Sequence, residues 1–195
     1  MLRLKEETAQ AHKETEAHSR GGEIMSGTLD LDGYIDILQK NYQLHQHFED
    51  ALRNIEGLNE LFKGGIGERW RTASLIADLR LLGQEPMAYP DSQELARPGN
   101  LRQALGCMYV LEGSTLGGAV ILKKLQRIPS ISEHQAFGFY GFYGPALGKK
   151  WQEFGDILTN FATNREAQDE VVAFASATFE SAKRIFMRPI ERIES

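Results

Sequence analysis

The sequence predicts an all-α, single-domain protein, and three observations carry that prediction. Apolar residues recur at three- and four-residue spacing over several long stretches. Clusters of glycine and proline cut those stretches apart. No credible strand run lies between them, and there is no repeat or low-complexity segment. At 195 residues the chain, 1–195, fits one domain with a sizeable core. The expected architecture has about six to eight helices.

Residues 2–20 read as the first helix. Leu4, Thr8, Ala11 and His12 lie along one side, with Glu6, Lys13 and Glu14 on the wet side. Gly21-Gly22 is expected to close it as a C-cap. Ser26 to Asp30 leads into a second helix over 30–56, whose stripe includes Tyr34, Leu38, Tyr42, Phe48 and Leu52. Gly57 closes it, and Gly64-Gly65-Ile66-Gly67 is a break. Residues 69–82 form a third helix, ended by Gly83. Residues 86–99 hold three prolines and little periodicity, so they read as a loop. Residues 101–125 are the next helix. Residues 129–148 are rich in glycine and aromatics and read as a loop entering a helix over 151–163. The last long helix covers 166–186, and Pro189 ends regular structure.

Composition narrows the function. A net charge of −5 leaves no basic excess for nucleic acid. The charged start does not resemble a signal peptide, and no uninterrupted run approaches the roughly 18 apolar residues of a membrane span. The single cysteine, Cys107, permits no internal disulfide and no thiolate-clustered metal site, and fits a cytoplasmic protein. Glu-x-x-His, the mark of a di-iron helical bundle, does not occur.

The unusual stretch is Tyr109 to Ala119, Tyr-Val-Leu-Glu-Gly-Ser-Thr-Leu-Gly-Gly-Ala, inside the helix over 101–125. Each glycine within a helix costs about 1 kcal/mol relative to alanine. Gly113 and Gly117 are four apart and share a face. A face without side chains admits either a neighbouring helix or a flat ligand, and it favours a bend that frees carbonyls. Both readings are open from this stretch alone.

Among the five histidines, His12 has the most suggestive surroundings. Lys5 lies almost two turns before it and Glu16 one turn after, on the same side. Glu16 is placed to orient the imidazole, as carboxylates do for metal-ligating histidines, and Lys5 to meet an anionic ligand edge. The same spacing also occurs on plain solvated helices. His18, His45 and His47 read as surface or packing residues, and His134 as a solvated loop residue beside Glu133.

Taken together, the two ends of the chain resemble the bacterial biliverdin-forming heme oxygenases. Leu4 to Glu16, LKEETAQAHKETE, resembles the family's opening helix, and Gly106 to Gly118, GCMYVLEGSTLGG, resembles its distal helix. The resemblance implies that His12 ligates heme iron. It implies that Gly113, Ser114 and Gly117 act at the distal face, and that Lys5, Glu16, Tyr109 and Gly118 contact or support the heme. Heme would be substrate and cofactor, with O2 and external electrons consumed and biliverdin, CO and Fe2+ released. A ferredoxin or another reductase would donate the electrons, since no flavin or nicotinamide motif is visible. The Lys5/Tyr109 pair resembles that of members opening the ring at the α carbon, which implies biliverdin IXα. Lys149 and Lys150 would add positive charge near the ligand edge or the reductase site. Ser114 stands where mammalian-type members have an aspartate. Glu112-Gly113-Ser114 resembles the subgroup that includes phytochrome-associated enzymes.

Three rivals come from other classes. A heme carrier or sensor would share His12 and the glycines without turnover. A thiaminase-like enzyme of related fold would use Cys107. An interaction-only helical domain would use the glycines for packing.

Overall fold

The computed structural model describes residues 2–190, among which there are nine α-helices, joined by turns and short 3-10 segments. They are α1 (Leu2–Glu7), α2 (Ala9–Glu16), α3 (Gly21–Ser26), α4 (Leu31–Leu52), α5 (Thr72–Leu81), α6 (Leu101–Leu125), α7 (Pro129–Ser132), α8 (Leu147–Phe161) and α9 (Arg165–Met187). The all-helical expectation holds.

The long helices start where short polar side chains accept their free N–H groups. Asp30 accepts from Gly33 N at 2.7 Å, Asn100 from Gln103 N at 3.0 Å and Asn164 from Ala167 N at 2.9 Å. Helix α6 packs along α9, while α4 lies against α5 and α9, α2 against α9, and α8 against α6. Buried Phe48, Leu105, Met108, Phe154 and Ala175 centre one part of the core. Tyr34, Leu38, Leu75, Leu79 and Ile131 centre the other. By length and composition alone α6 could cross a membrane, but here its N-terminal half is buried against α9.

Among the described glycines, Gly106 comes closest to the backbone of another helix. A Cβ there would stand 2.4 Å from the Val171 carbonyl oxygen and 3.0 Å from Ala175 N. This glycine, and not Gly113 or Gly117, is the one that lets α6 reach α9.

Several boundaries depart from the expectation. The helix over 2–20 is broken at Thr8 (φ −98°, ψ 0°), whose Oγ1 donates to the Leu4 carbonyl at 2.7 Å. Gly21-Gly22 does not cap that helix. Arg20 turns into the left-handed region (φ 57°), and the glycines open α3. Helix α4 stops at Leu52, and α5 starts at Thr72. The start of α5 is set from outside, because the Glu49 carboxylate of α4 accepts from Arg71 N at 2.7 Å, Thr72 N at 3.2 Å and Thr72 Oγ1 at 2.6 Å. Helix α6 runs unbroken from Leu101 to Leu125, so its glycines do not interrupt it.

Candidate active site

A single cavity of about 1180 Å³ gathers the residues that the sequence singled out. Lys5, His12 and Glu16 line it from the N-terminal helices, and Tyr109, Gly113, Ser114, Gly117 and Gly118 line it from α6. Positions more than 100 residues apart in sequence therefore share one wall system. His18 lines it as well, whereas Lys149 and Lys150 do not; Lys150 is tied instead to Glu68 at 2.6 Å.

His12 is accessible within this cavity, its side chain 54% exposed. Its Nδ1 lies 3.4 Å from Glu16 Oε2, and its ring meets the Phe179 ring edge-on at 5.5 Å and 80°. Helix α2 is fastened to α9 by Thr15, whose Oγ1 approaches the Phe179 carbonyl at 3.2 Å, and by Lys183 donating to Glu14 at 2.8 Å. The imidazole is thus bracketed by a carboxylate and a ring while keeping free access to the cavity.

The glycines of α6 decide between ligand and helix packing. Nothing lies within 4 Å of a Cβ built on Gly117, and only the Trp151 ring edge, at 3.9 Å, approaches one on Gly113. Gly117 receives no neighbouring helix, and Gly113 meets α8 only through the edge of the Trp151 ring. Gly118 is different: its Cβ position would touch the Tyr140 carbonyl oxygen at 3.7 Å. Within this chain Gly117 packs against no helix, and Gly113 and Gly117 both border the cavity.

Behind Ser114 sits a residue that the sequence did not reveal. Arg71 is 1% exposed. Its Nη2 donates to the Leu111 carbonyl and its Nη1 to Ser114 Oγ at 3.3 Å, while Ser114 Oγ itself donates to Leu111 O at 2.7 Å. The guanidinium also lies 5.5 Å from the centre of the Phe139 ring. Arg71 Nε has no protein partner. Burial lowers the Arg71 pKa, opposed by the nearby charges of Glu112, Tyr143 and Glu49.

Around it is a buried polar group. Arg69 donates to Glu112 at 2.7 Å and to Glu153 at 2.8 Å, and the Tyr143 hydroxyl donates to Glu112 at 2.8 Å. His45 Nδ1 pairs with Glu49 at 2.9 Å. Burial holds the His45 pKa down to about 4, so its imidazole is neutral. Burial alone would raise the Glu49 carboxyl, but hydrogen bonds from His45, Thr72 and Arg71 N bring it below the ordinary carboxylate value. His47 bonds the Ala96 carbonyl at 2.9 Å, so both histidines are packing residues. A hint existed in the sequence: two arginines flank Trp70 before an apolar helix. Nothing local says which of them is buried.

Cys107 is fully buried and does not line the cavity, and burial pushes its thiol pKa up. A nucleophile needs the reverse, so the cysteine reading has no support in this geometry.

An accessible histidine and a glycine-faced helix thus line one large cavity of an all-helical protein. The family model for heme oxygenase matches residues 1–188. The chain is 32% identical over 157 residues to a heme oxygenase of Xanthomonas campestris, covering 78% of this chain and 88% of that protein. It is 30% identical over 150 residues to heme oxygenase PigA of Pseudomonas aeruginosa, covering 76% and 73%. In fold it resembles the solved heme oxygenase of Leptospira interrogans, with a TM-score of 0.73 at 20% identity, covering 94% of this chain and 96% of that one. The chain belongs to the heme oxygenase family, and it is a heme-degrading enzyme.

Proposed function

We propose that heme lies in the cavity between α2 and α6, held by His12 at the iron, and that this chain opens it to biliverdin IXα with release of CO and ferrous iron. The observation that carries the proposal is the Gly117 position, where a side chain would meet only open cavity, on the same cavity as an accessible histidine. A flat macrocycle needs that combination of an imidazole and a face without Cβ atoms.

Bound heme supplies the iron that activates O2, and a ferredoxin or another reductase supplies electrons. The remaining work is done by the protein. Glu16, at 3.4 Å, favours the His12 tautomer with its proton on Nδ1, leaving the Nε2 lone pair for a metal. Gly113 and Gly117 bring the α6 backbone against the ligand. Lys5 and Tyr109 fix rotation of the macrocycle by contacting its carboxylates. Ser114 Oγ, braced by Arg71, organises the proton-bearing waters in place of an aspartate. Glu112-Gly113-Ser114 supports placing the chain in the subgroup that includes phytochrome-associated enzymes.

The test is a hemin titration of the purified chain, followed by ascorbate, or a ferredoxin with its reductase, under air with catalase present. The expected result is a one-to-one Soret band that decays into the broad red absorption of biliverdin. A Soret band that persists under reduction would favour a heme carrier instead.

A further inference from the structure

The inner wall of the cavity is built from a turn, residues 137–143, that has no regular secondary structure of its own. Phe139, Tyr140 and Tyr143 of this turn line the cavity. The Phe139 ring stands against the Arg71 guanidinium and edge-on to His45 at 5.4 Å. The Tyr140 carbonyl seats against Gly118, and Tyr143 reaches Glu112. The turn therefore touches α6 at both ends of its glycine segment.

One side chain holds the start of this turn. Asp78 of α5 is 2% exposed. Its Oδ1 accepts from Gly138 N at 2.8 Å and its Oδ2 from Phe139 N, also at 2.8 Å. A Cβ on Gly138 would lie 3.1 Å from Asp78 Oδ1, so a side chain there would press the carboxylate away from the two amides by a few tenths of an ångström. Tyr34 adds a second anchor next door by donating to the Ala136 carbonyl at 2.5 Å. Asp78 does not line the cavity.

We propose that Asp78 is a positioning residue for the heme site, acting through the Gly138 and Phe139 amides to set the inner wall that receives the macrocycle. A buried carboxylate spent on two loop amides is a costly arrangement unless the loop must be held in one place. The inference rests on the heme reading of the cavity.

The experiment compares wild type with Asp78→Asn and Gly138→Ala. The first converts one acceptor into a donor facing an N–H, and the second pushes the turn away with the carboxylate intact. Leu58→Ala, buried in the other part of the core and off the cavity, serves as a matched destabilised control. Hydrogen exchange in the hemin-free protein should show the Gly138 and Phe139 amides opening about tenfold faster in Asp78→Asn, the factor carried by loss of one charge-assisted hydrogen bond. Hemin Kd, followed by quenching of tryptophan fluorescence, should rise about tenfold in both wall variants, and the product should become a mixture of biliverdin isomers. Leu58→Ala should lower Tm and leave Kd and product unchanged. If wild type binds hemin and both wall variants match its Kd and product, the role of Asp78 is overturned. If wild type binds no hemin, the heme reading falls, and this inference with it.

Discussion

Arg71 Nη1 donates to Ser114 Oγ across 3.3 Å, so a buried guanidinium braces the glycine segment of α6 from behind. The same side chain holds the Leu111 carbonyl, one turn before Ser114. Arg71→Met removes both contacts and leaves Glu49 and Glu112 with less compensating charge. Folding stability, read from the urea midpoint, is expected to fall by about 3 kcal/mol. Turnover should fall as well. Arg71→Lys keeps the charge but not the two-pronged geometry, so its loss should be smaller in stability and similar in turnover.

Two glycines of one helix should respond in opposite ways. Gly106→Ala drives a methyl into the Val171 carbonyl, where no flexible side chain can yield, and is expected to destabilise the protein by about 1–3 kcal/mol or more. Gly117→Ala meets nothing in the protein and removes a helix-interior glycine, so the hemin-free form should be up to about 1 kcal/mol more stable. Its hemin affinity should nevertheless drop by about one to two orders of magnitude, because the methyl occupies the ligand's space. Thermal melts without hemin and titrations with it check both. Equal destabilisation of the two hemin-free variants would contradict the assignment.

Stability should weaken in mild acid through His45. Its pKa is depressed in the folded state to about 4, while an unfolded histidine titrates near 6.5. The unfolded chain therefore binds a proton that the native protein refuses over that window. Stability from this residue is fully present above about pH 6.5 and is lost as pH falls towards 4. His47, also depressed by burial, acts in the same direction. Urea melts between pH 7 and 4.5 should show this slope in wild type and a shallower one in His45→Gln.

Regiochemistry offers a separate check on the ligand's edge. Lys5 and Tyr109 line the same cavity, from α1 and α6. If they hold the carboxylates, Lys5→Asn combined with Tyr109→Phe should turn the product from the α isomer towards β or δ isomers, as separated by chromatography. An unchanged α product would remove both residues from that role.

Much of this was legible in the sequence, because much of it is local. The sequence places α6 and α9 to within a residue of their observed ends, and the structure adds the Asn100 and Asn164 caps that fix where they start. Lys5, His12, Tyr109 and Gly117, which share one cavity, come from two separate motifs that point to a common ligand only when read together. What stayed hidden depends on distant partners. The start of α5 is decided by Glu49, some twenty residues earlier. Arg71 and Asp78 look like ordinary charged residues of a surface helix. Only the fold shows that one reaches Ser114 and the other the Gly138 amide. Gly106 opens the GCMYVLEGSTLGG motif, yet what it serves is the contact with α9.

The most direct measurement of the central claim is a hemin titration of His12→Ala beside wild type, repeated with added imidazole. If His12 holds the iron, the variant loses the sharp one-to-one Soret band and biliverdin formation, and imidazole restores the band. A variant with the wild-type spectrum and wild-type turnover would contradict the account, and would move the iron ligand to another residue of the cavity.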